Sequence, residues 1–137
     1  MIRSMSHVTI YVLDQDQAKL FYTEKLDFEV KTDVTMGTFR WLTVGPKGQG
    51  GLELILMPIR PGPMMPDDAC AKLRSLIQDG RIGVGVFETA DCRKTYDELK
   101  ARGVVFKSEP AERPYGVVEA SFVDDSGNLF SLTQRRR

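Results

Sequence analysis

Apolar and polar residues alternate from Met5 to Val12, which predicts a strand with His7, Thr9 and Tyr11 on one face and Val8, Ile10 and Val12 on the other. The period then changes. Asp14 is placed to cap a helix whose apolar stripe is Ala18, Phe21, Tyr22 and Leu26. Asp27 stands where a glycine commonly ends a helix, and aspartate tolerates the left-handed backbone better than most residues. Strands are predicted over Phe28 to Asp33, Thr38 to Val44 and Leu52 to Met57, with a Gly/Pro-rich turn from Pro46 to Gly51 before the last. Glu53 shares a face with Ile55 and Met57.

Pro58 to Met65, closing on Pro66, cannot be regular helix or central strand and reads as a linker. A short helix follows, capped by Asp67 or Asp68, striped by Leu73, Leu76 and Ile77, and ended by Gly80. From Gly83 the pattern resumes: a strand from Val84 to Glu88, then a helix capped by Asp91, striped by Cys92, Tyr96 and Leu99 and stopped by Gly103. Strands are predicted over Val104 to Lys107, Val117 to Val123 and Leu129 to Gln134, with a turn from Asp124 to Asn128.

The second half repeats the first. His7 to Asp14 superposes on Val84 to Asp91 at an offset of 77, both ending in the capping aspartate, and Leu52–Leu54 superposes on Phe130–Leu132 at an offset of 78. The expectation is a single α+β domain of two βαβββ modules, the first about 5–57 and the second about 83–134, joined by the linker and short helix of about 58–80.

Composition changes this picture little. The 137 residues suit one domain, and 42% hydrophobic content is enough for a core. Lys+Arg 19 against Asp+Glu 19 leaves no basic footprint for nucleic acid, and the terminal Arg135, Arg136 and Arg137 read as a solvated tail. Met1-Ile2-Arg3 runs directly into a strand rather than a leader, and no apolar run is long enough for a bilayer. Two cysteines, Cys70 and Cys92, read as reduced thiols of a cytoplasmic protein.

Tyr96-Asp-Glu-Leu-Lys-Ala-Arg-Gly-Val104, Ser108-Glu-Pro110, Arg113-Pro-Tyr-Gly116 and Asp124-Asp-Ser-Gly-Asn-Leu129 give the chain its resemblance to the vicinal oxygen chelate superfamily. That superfamily includes glyoxalase I, extradiol dioxygenases and fosfomycin- and bleomycin-resistance proteins. The resemblance covers about Met5 to Gln134. It implies modules paired into a U-shaped, mostly antiparallel sheet with a concave cavity, and a homodimer. It also implies four metal-ligand positions, here His7, Glu53, Val84 and Ser131. His7 and Glu53 keep the family pattern, whereas Val84 stands for a histidine and Ser131 for a glutamate. Valine offers no donor, and a serine hydroxyl is a poor ligand for a transition ion. The cofactor expectation is therefore none, or a weakly held divalent metal such as Zn, Ni, Mn or Fe.

His7 is the one histidine, and with Glu53 it is the candidate for catalysis or for metal; the plain alternative is a His7–Glu53 pair without metal. Tyr11 and Glu88 occupy equivalent positions in the two modules, where relatives contact substrate; Glu88 is alternatively a replacement ligand or a rim carboxylate. Phe39, Trp41, Tyr115 and Phe122 are candidates for an apolar pocket holding a flat ligand, or for ordinary core. Arg40 is a candidate for a cavity mouth, and Met57, Met64 and Met65 for an adaptable lid. The resulting expectation is a small-molecule binder with an incomplete metal site. The alternative is a glyoxalase-like lyase or isomerase using His7 and Glu53.

Overall fold

A computed structural model describes residues 1–135; Arg136 and Arg137 of the basic tail lie outside the described residues. The chain forms two compact units, Met1–Arg74 and from Ser75 onward. In the first, β1 (His7–Val12) leads into α1 (Gln15–Leu20), which continues as a π-helical stretch, Phe21–Lys25. Then come β2 (Phe28–Met36), β3 (Phe39–Pro46) and β4 (Glu53–Pro58). The sheet order is β1-β4-β3-β2, with β1 and β4 parallel and the other pairs antiparallel.

The boundary between the units falls inside α2 (Asp67–Gln78). In the second unit, β5 (Gly83–Glu88), α3 (Cys92–Ala101), β6 (Val105–Arg113), β7 (Val117–Val123) and β8 (Leu129–Arg135) repeat the plan in the order β5-β8-β7-β6. The fold is α+β, two βαβββ modules as the repeat predicts.

The caps explain where the helices stop and start. Asp14 and Asp91 accept hydrogen bonds from the backbone N–H groups of Gln17 and Lys94 at 2.9 and 3.0 Å. Asp27 takes φ +60, the left-handed conformation expected of it. After α3, Gly103 N–H bonds to Lys100 and Val104 N–H to Leu99, both at 3.0 Å, and Gly103 sits at φ +91. The π-helical stretch has a local cause. The Thr23 hydroxyl donates to the Lys19 carbonyl at 2.7 Å, while Leu26 N–H reaches five residues back to Phe21 at 3.2 Å.

Strand alternation sorts each sheet into a helix-covered face and an open face. In the first unit Ile10, Val12, Leu42, Val44, Leu54 and Leu56 are buried with Ala18, Phe21 and Tyr22 of the helix. In the second, Val118, Ala120, Phe122, Phe130 and Leu132 are buried with Cys92 and Leu99 of α3. Phe87 stacks on Phe130 at 4.7 Å, and Phe122 lies 5.7 Å from Phe130 and 5.6 Å from Phe106.

Three sequence expectations need adjusting: β2 runs on to Met36 rather than ending at Asp33, α2 begins at Asp67, so neither Asp67 nor Asp68 precedes it as a cap, and β6 is longer than expected. Strand β6 does not stop at Lys107: it runs past Pro110, at the sheet edge, where its register shifts between Ser108 and Ala111. An edge strand with a bulge is where a sheet accommodates proline. In the linker, Gly62 and Met65 close a tight turn with hydrogen bonds of 2.9 and 3.1 Å, leaving Met64 exposed at its tip and Met65 half-buried.

Candidate functional site

The open face of the first unit carries the polar residues singled out in the sequence. Because β1 and β4 run parallel and in register, His7 lies opposite Glu53. Nε2 of His7 is 3.8 Å from Oε2 of Glu53, beyond hydrogen-bond length, and Nδ1 is 2.9 Å from the Ser6 hydroxyl. The other carboxylate oxygen, Oε1, accepts a 2.6 Å hydrogen bond from the hydroxyl of Thr43, a fully buried residue. Glu53 keeps a third of its side chain exposed, 33%. One anchored oxygen and a side chain still partly exposed spare the carboxylate the cost of unpaired burial.

Trp41, two residues before Thr43 and on the same face of β3, brings its ring within 5.8 Å of the His7 ring and 6.3 Å of Phe39. Tyr11 lies further along β1, opposite Met57.

The open face of the second unit is smaller in its side chains. Ser131 is flanked in the ladder by Val86 of β5 and Ser121 of β7, and the Ser121 hydroxyl shares a 2.8 Å hydrogen bond with Ser108. A pocket of about 390 Å³ opens here, lined by Gly83, Val84, Gly85, Val86, Ser121, Leu129 and Ser131. Val84 and Ser131 thus line one pocket, but the ladder slips between Gly83 and Gly85, so the residue directly across from Ser131 is Val86. Glu88 is exposed, with its Oε1 3.0 Å from Nε of Arg135. Tyr115 is exposed at the β6–β7 hairpin, where its hydroxyl donates to Glu119 at 2.8 Å; that carboxylate holds the phenol above its ordinary pKa.

Two expected site residues face elsewhere. Phe122 is 1% exposed and belongs to the aromatic core under α3, because even-numbered residues of β7 point away from the open face. Arg40 likewise points to the helix side. Its Nε and Nη2 bond both oxygens of Asp33 at 2.9 Å, and its Nη1 bonds Asp16 at 2.6 Å. Lys19 adds a 2.7 Å bond to Asp33. Arg40 and Lys19 hold the Asp33 carboxyl far below the usual carboxylate range. Arg40 therefore sits in an ion-pair network with Asp33 and Asp16. Conversely, Thr43 and Ser121 belong to the site faces and were not singled out. Period-2 alternation with Trp41 could have flagged Thr43, but its bond to Glu53 depends on register.

A divalent metal is the group the resemblance implies, and the donor set does not fit one. The first unit offers an imidazole and a carboxylate, with one carboxylate oxygen already engaged by Thr43. The pocket of the second unit offers two valines and hydroxyls, and the carboxylates that share the strand parity of its lining are engaged, Glu88 by Arg135 and Glu119 by Arg113 and Tyr115. Among the described residues, no three His, Cys, Asp or Glu side chains gather into a metal-holding group. Transition-metal sites ordinarily assemble three or four nitrogen, sulfur or carboxylate donors.

Known proteins bear on this geometry. UcmS2, known from a crystal structure, is 52% identical, covers 97% of this chain and 98% of its own, and superposes with a TM-score of 0.90. TnmS3, an antibiotic binding protein from Streptomyces sp. CB03234, is 29% identical with a TM-score of 0.76 over 98% of this chain and 97% of its own. The uncharacterized protein YurT of Bacillus subtilis (strain 168) is 41% identical over 93% of this chain and 95% of its own length. The family model of the Glyoxalase/Bleomycin resistance protein/Dioxygenase superfamily matches residues 4–132, and the chain belongs to that superfamily.

Proposed function

We propose that this protein binds a small apolar or aromatic molecule, without metal, and sequesters it rather than transforming it. The observation that carries this reading is the pairing of an aromatic open face with a broken donor set. Trp41, Phe39 and Tyr11 offer contact area, while His7 and Glu53 have no third His, Cys, Asp or Glu grouped with them among the described residues. The antibiotic binding of TnmS3 is in keeping with it. So is the pocket of about 390 Å³ in the second unit, whose walls are glycine, valine, leucine and serine. The exposed Val34 and Met36 are in keeping with a homodimer, and the free, buried Cys70 and Cys92 with a cytoplasmic setting.

The second reading, a glyoxalase-like lyase or isomerase, rests on the adjacency of His7 and Glu53 on one face. Metal analysis of untagged protein purified without chelator separates the two, run beside His7→Ala and Glu53→Ala. Substoichiometric metal in all three proteins is the expected result. Near-stoichiometric Zn, Ni, Mn or Fe that both substitutions abolish refutes the binder reading.

A further inference from the structure

We infer that the face around His7 and Glu53 selects aromatic ligands that carry a hydroxyl group, which closes the gap between these two side chains. The inference rests on the small-molecule reading above and names the ligand chemistry.

His7 Nε2 and Glu53 Oε2 stand 3.8 Å apart, too far for a direct hydrogen bond. They are also too close to ignore a common partner: an oxygen about 2.8 Å from each fits between them. The rest of the pair is already fixed. Glu53 Oε1 is taken by Thr43, and His7 Nδ1 by Ser6, so Nε2 and Oε2 are the groups left facing one another. An ionised carboxylate oxygen only accepts, so the bridging group must donate to it. Toward Nε2 the requirement depends on the proton. If Nδ1–H donates to Ser6, Nε2 accepts; if Ser6 donates to Nδ1, Nε2–H donates. A hydroxyl has one proton: donated to Oε2, it leaves lone pairs that accept from Nε2–H, so the bridge forms in the second of these tautomers, with Ser6 donating to Nδ1. The Trp41 ring, 5.8 Å from the imidazole, supplies an aromatic neighbour for the ring that bears the hydroxyl. Water can occupy the same gap, so a ligand hydroxyl replaces its bonds, whereas an ether or a bare ring displaces it without replacement.

The test uses the fact that Trp41 is the one tryptophan, so its indole N–H gives one cross-peak in a 15N-labelled sample. The full-length protein is titrated with 1-naphthol, 1-methoxynaphthalene and naphthalene, and the shift of that peak gives each Kd. The expected result is that 1-naphthol binds about tenfold more tightly than its methyl ether, the range of one hydrogen bond to a charged group. In Glu53→Gln, the Thr43 hydroxyl is expected to keep the amide oxygen and turn the NH2 toward His7. The advantage should then fall below about twofold, with naphthalene binding unchanged. The remaining cross-peaks check that the variant is folded. Equal affinities for naphthol and ether overturn this inference and leave the aromatic-binder reading standing. A naphthol advantage that survives Glu53→Gln overturns the assignment to Glu53. No Trp41 shift with any of the three probes counts against the binder reading itself, and the inference falls with it.

Discussion

Replacing Gly127 with alanine should destabilise the protein far more than the same change at Gly116, although both glycines have positive φ. Gly127 lies at φ +113 in the turn between β7 and β8. A Cβ there would overlap the carbonyl of Ile77, a backbone group near the end of α2 that no rotamer change can move away. The turn cannot easily yield either. Asp124 Oδ1 accepts from the N–H groups of Ser126, Gly127 and Asn128 at 2.9, 3.0 and 2.9 Å, and Asn128 Nδ2 donates to Oδ2 at 3.0 Å. Gly116, at φ +82, has no atom within 4 Å of its would-be Cβ, so it isolates the conformational penalty alone. That penalty is about 1–2 kcal/mol. Relieving the overlap at Gly127 means giving up at least one hydrogen bond to a carboxylate, about 1.5–3 kcal/mol more. Gly127→Ala should therefore lose about 2.5–5 kcal/mol, a large share of the roughly 5–15 kcal/mol available to a domain. Urea unfolding followed by far-UV circular dichroism measures both variants against the parent. If the two losses agree within about 0.5 kcal/mol, the overlap has no energetic weight and the account of the turn is wrong.

Asp33→Asn should cost about 1 kcal/mol at pH 7, the bidentate Arg40 contact being partly offset by solvent screening. Since the folded-state pKa of Asp33 is depressed, its contribution is whole above about pH 5 and shrinks as pH falls through 4. The gap between parent and variant stabilities in urea should thus start to narrow below about pH 5 and keep narrowing to the lowest pH at which the chain stays folded, and a gap that stays constant with pH would contradict the ion-pair account. Cys92 is fully buried, its Sγ 3.5 Å from the Leu132 carbonyl, and burial pushes its thiol pKa up. With Cys70 also buried, a chromogenic disulfide reagent should label neither thiol at the rate of a free thiol until urea unfolds the chain; prompt labelling of either would contradict the burial.

Local chemistry made most of the fold legible in the sequence. Asp14 and Asp91 announce their helices, Asp27 and Gly103 end them, and the period-2 runs assign each strand residue to a face. What stayed hidden depends on residues distant in sequence. Arg40 finds Asp33 seven residues away and Asp16 twenty-four away, so no local pattern reveals that its guanidinium is already paired. Phe122 is an aromatic in a strand, and only the parity of β7 relative to the helix decides whether it lines a pocket or the core. The partner of Ser131 depends on a one-residue slip at Gly83–Gly85, which superposing the two halves cannot reveal.

The two modules show how one backbone plan supports unlike surfaces. In the first, the β4 position facing the open side holds a carboxylate, and a buried threonine on β3 is needed to anchor one of its oxygens. In the second, the corresponding β8 position holds Ser131, and the neighbouring β7 residue is a serine whose hydroxyl turns to Ser108 instead. A charge on the first face thus brings a supporting polar residue with it, whereas a hydroxyl on the second does not. Small side chains at Ser121 and Ser131 stand where longer ones would fill the pocket of about 390 Å³ that they help line. The helix-covered face is alike in both modules, with Val118, Ala120, Phe130 and Leu132 buried in the second.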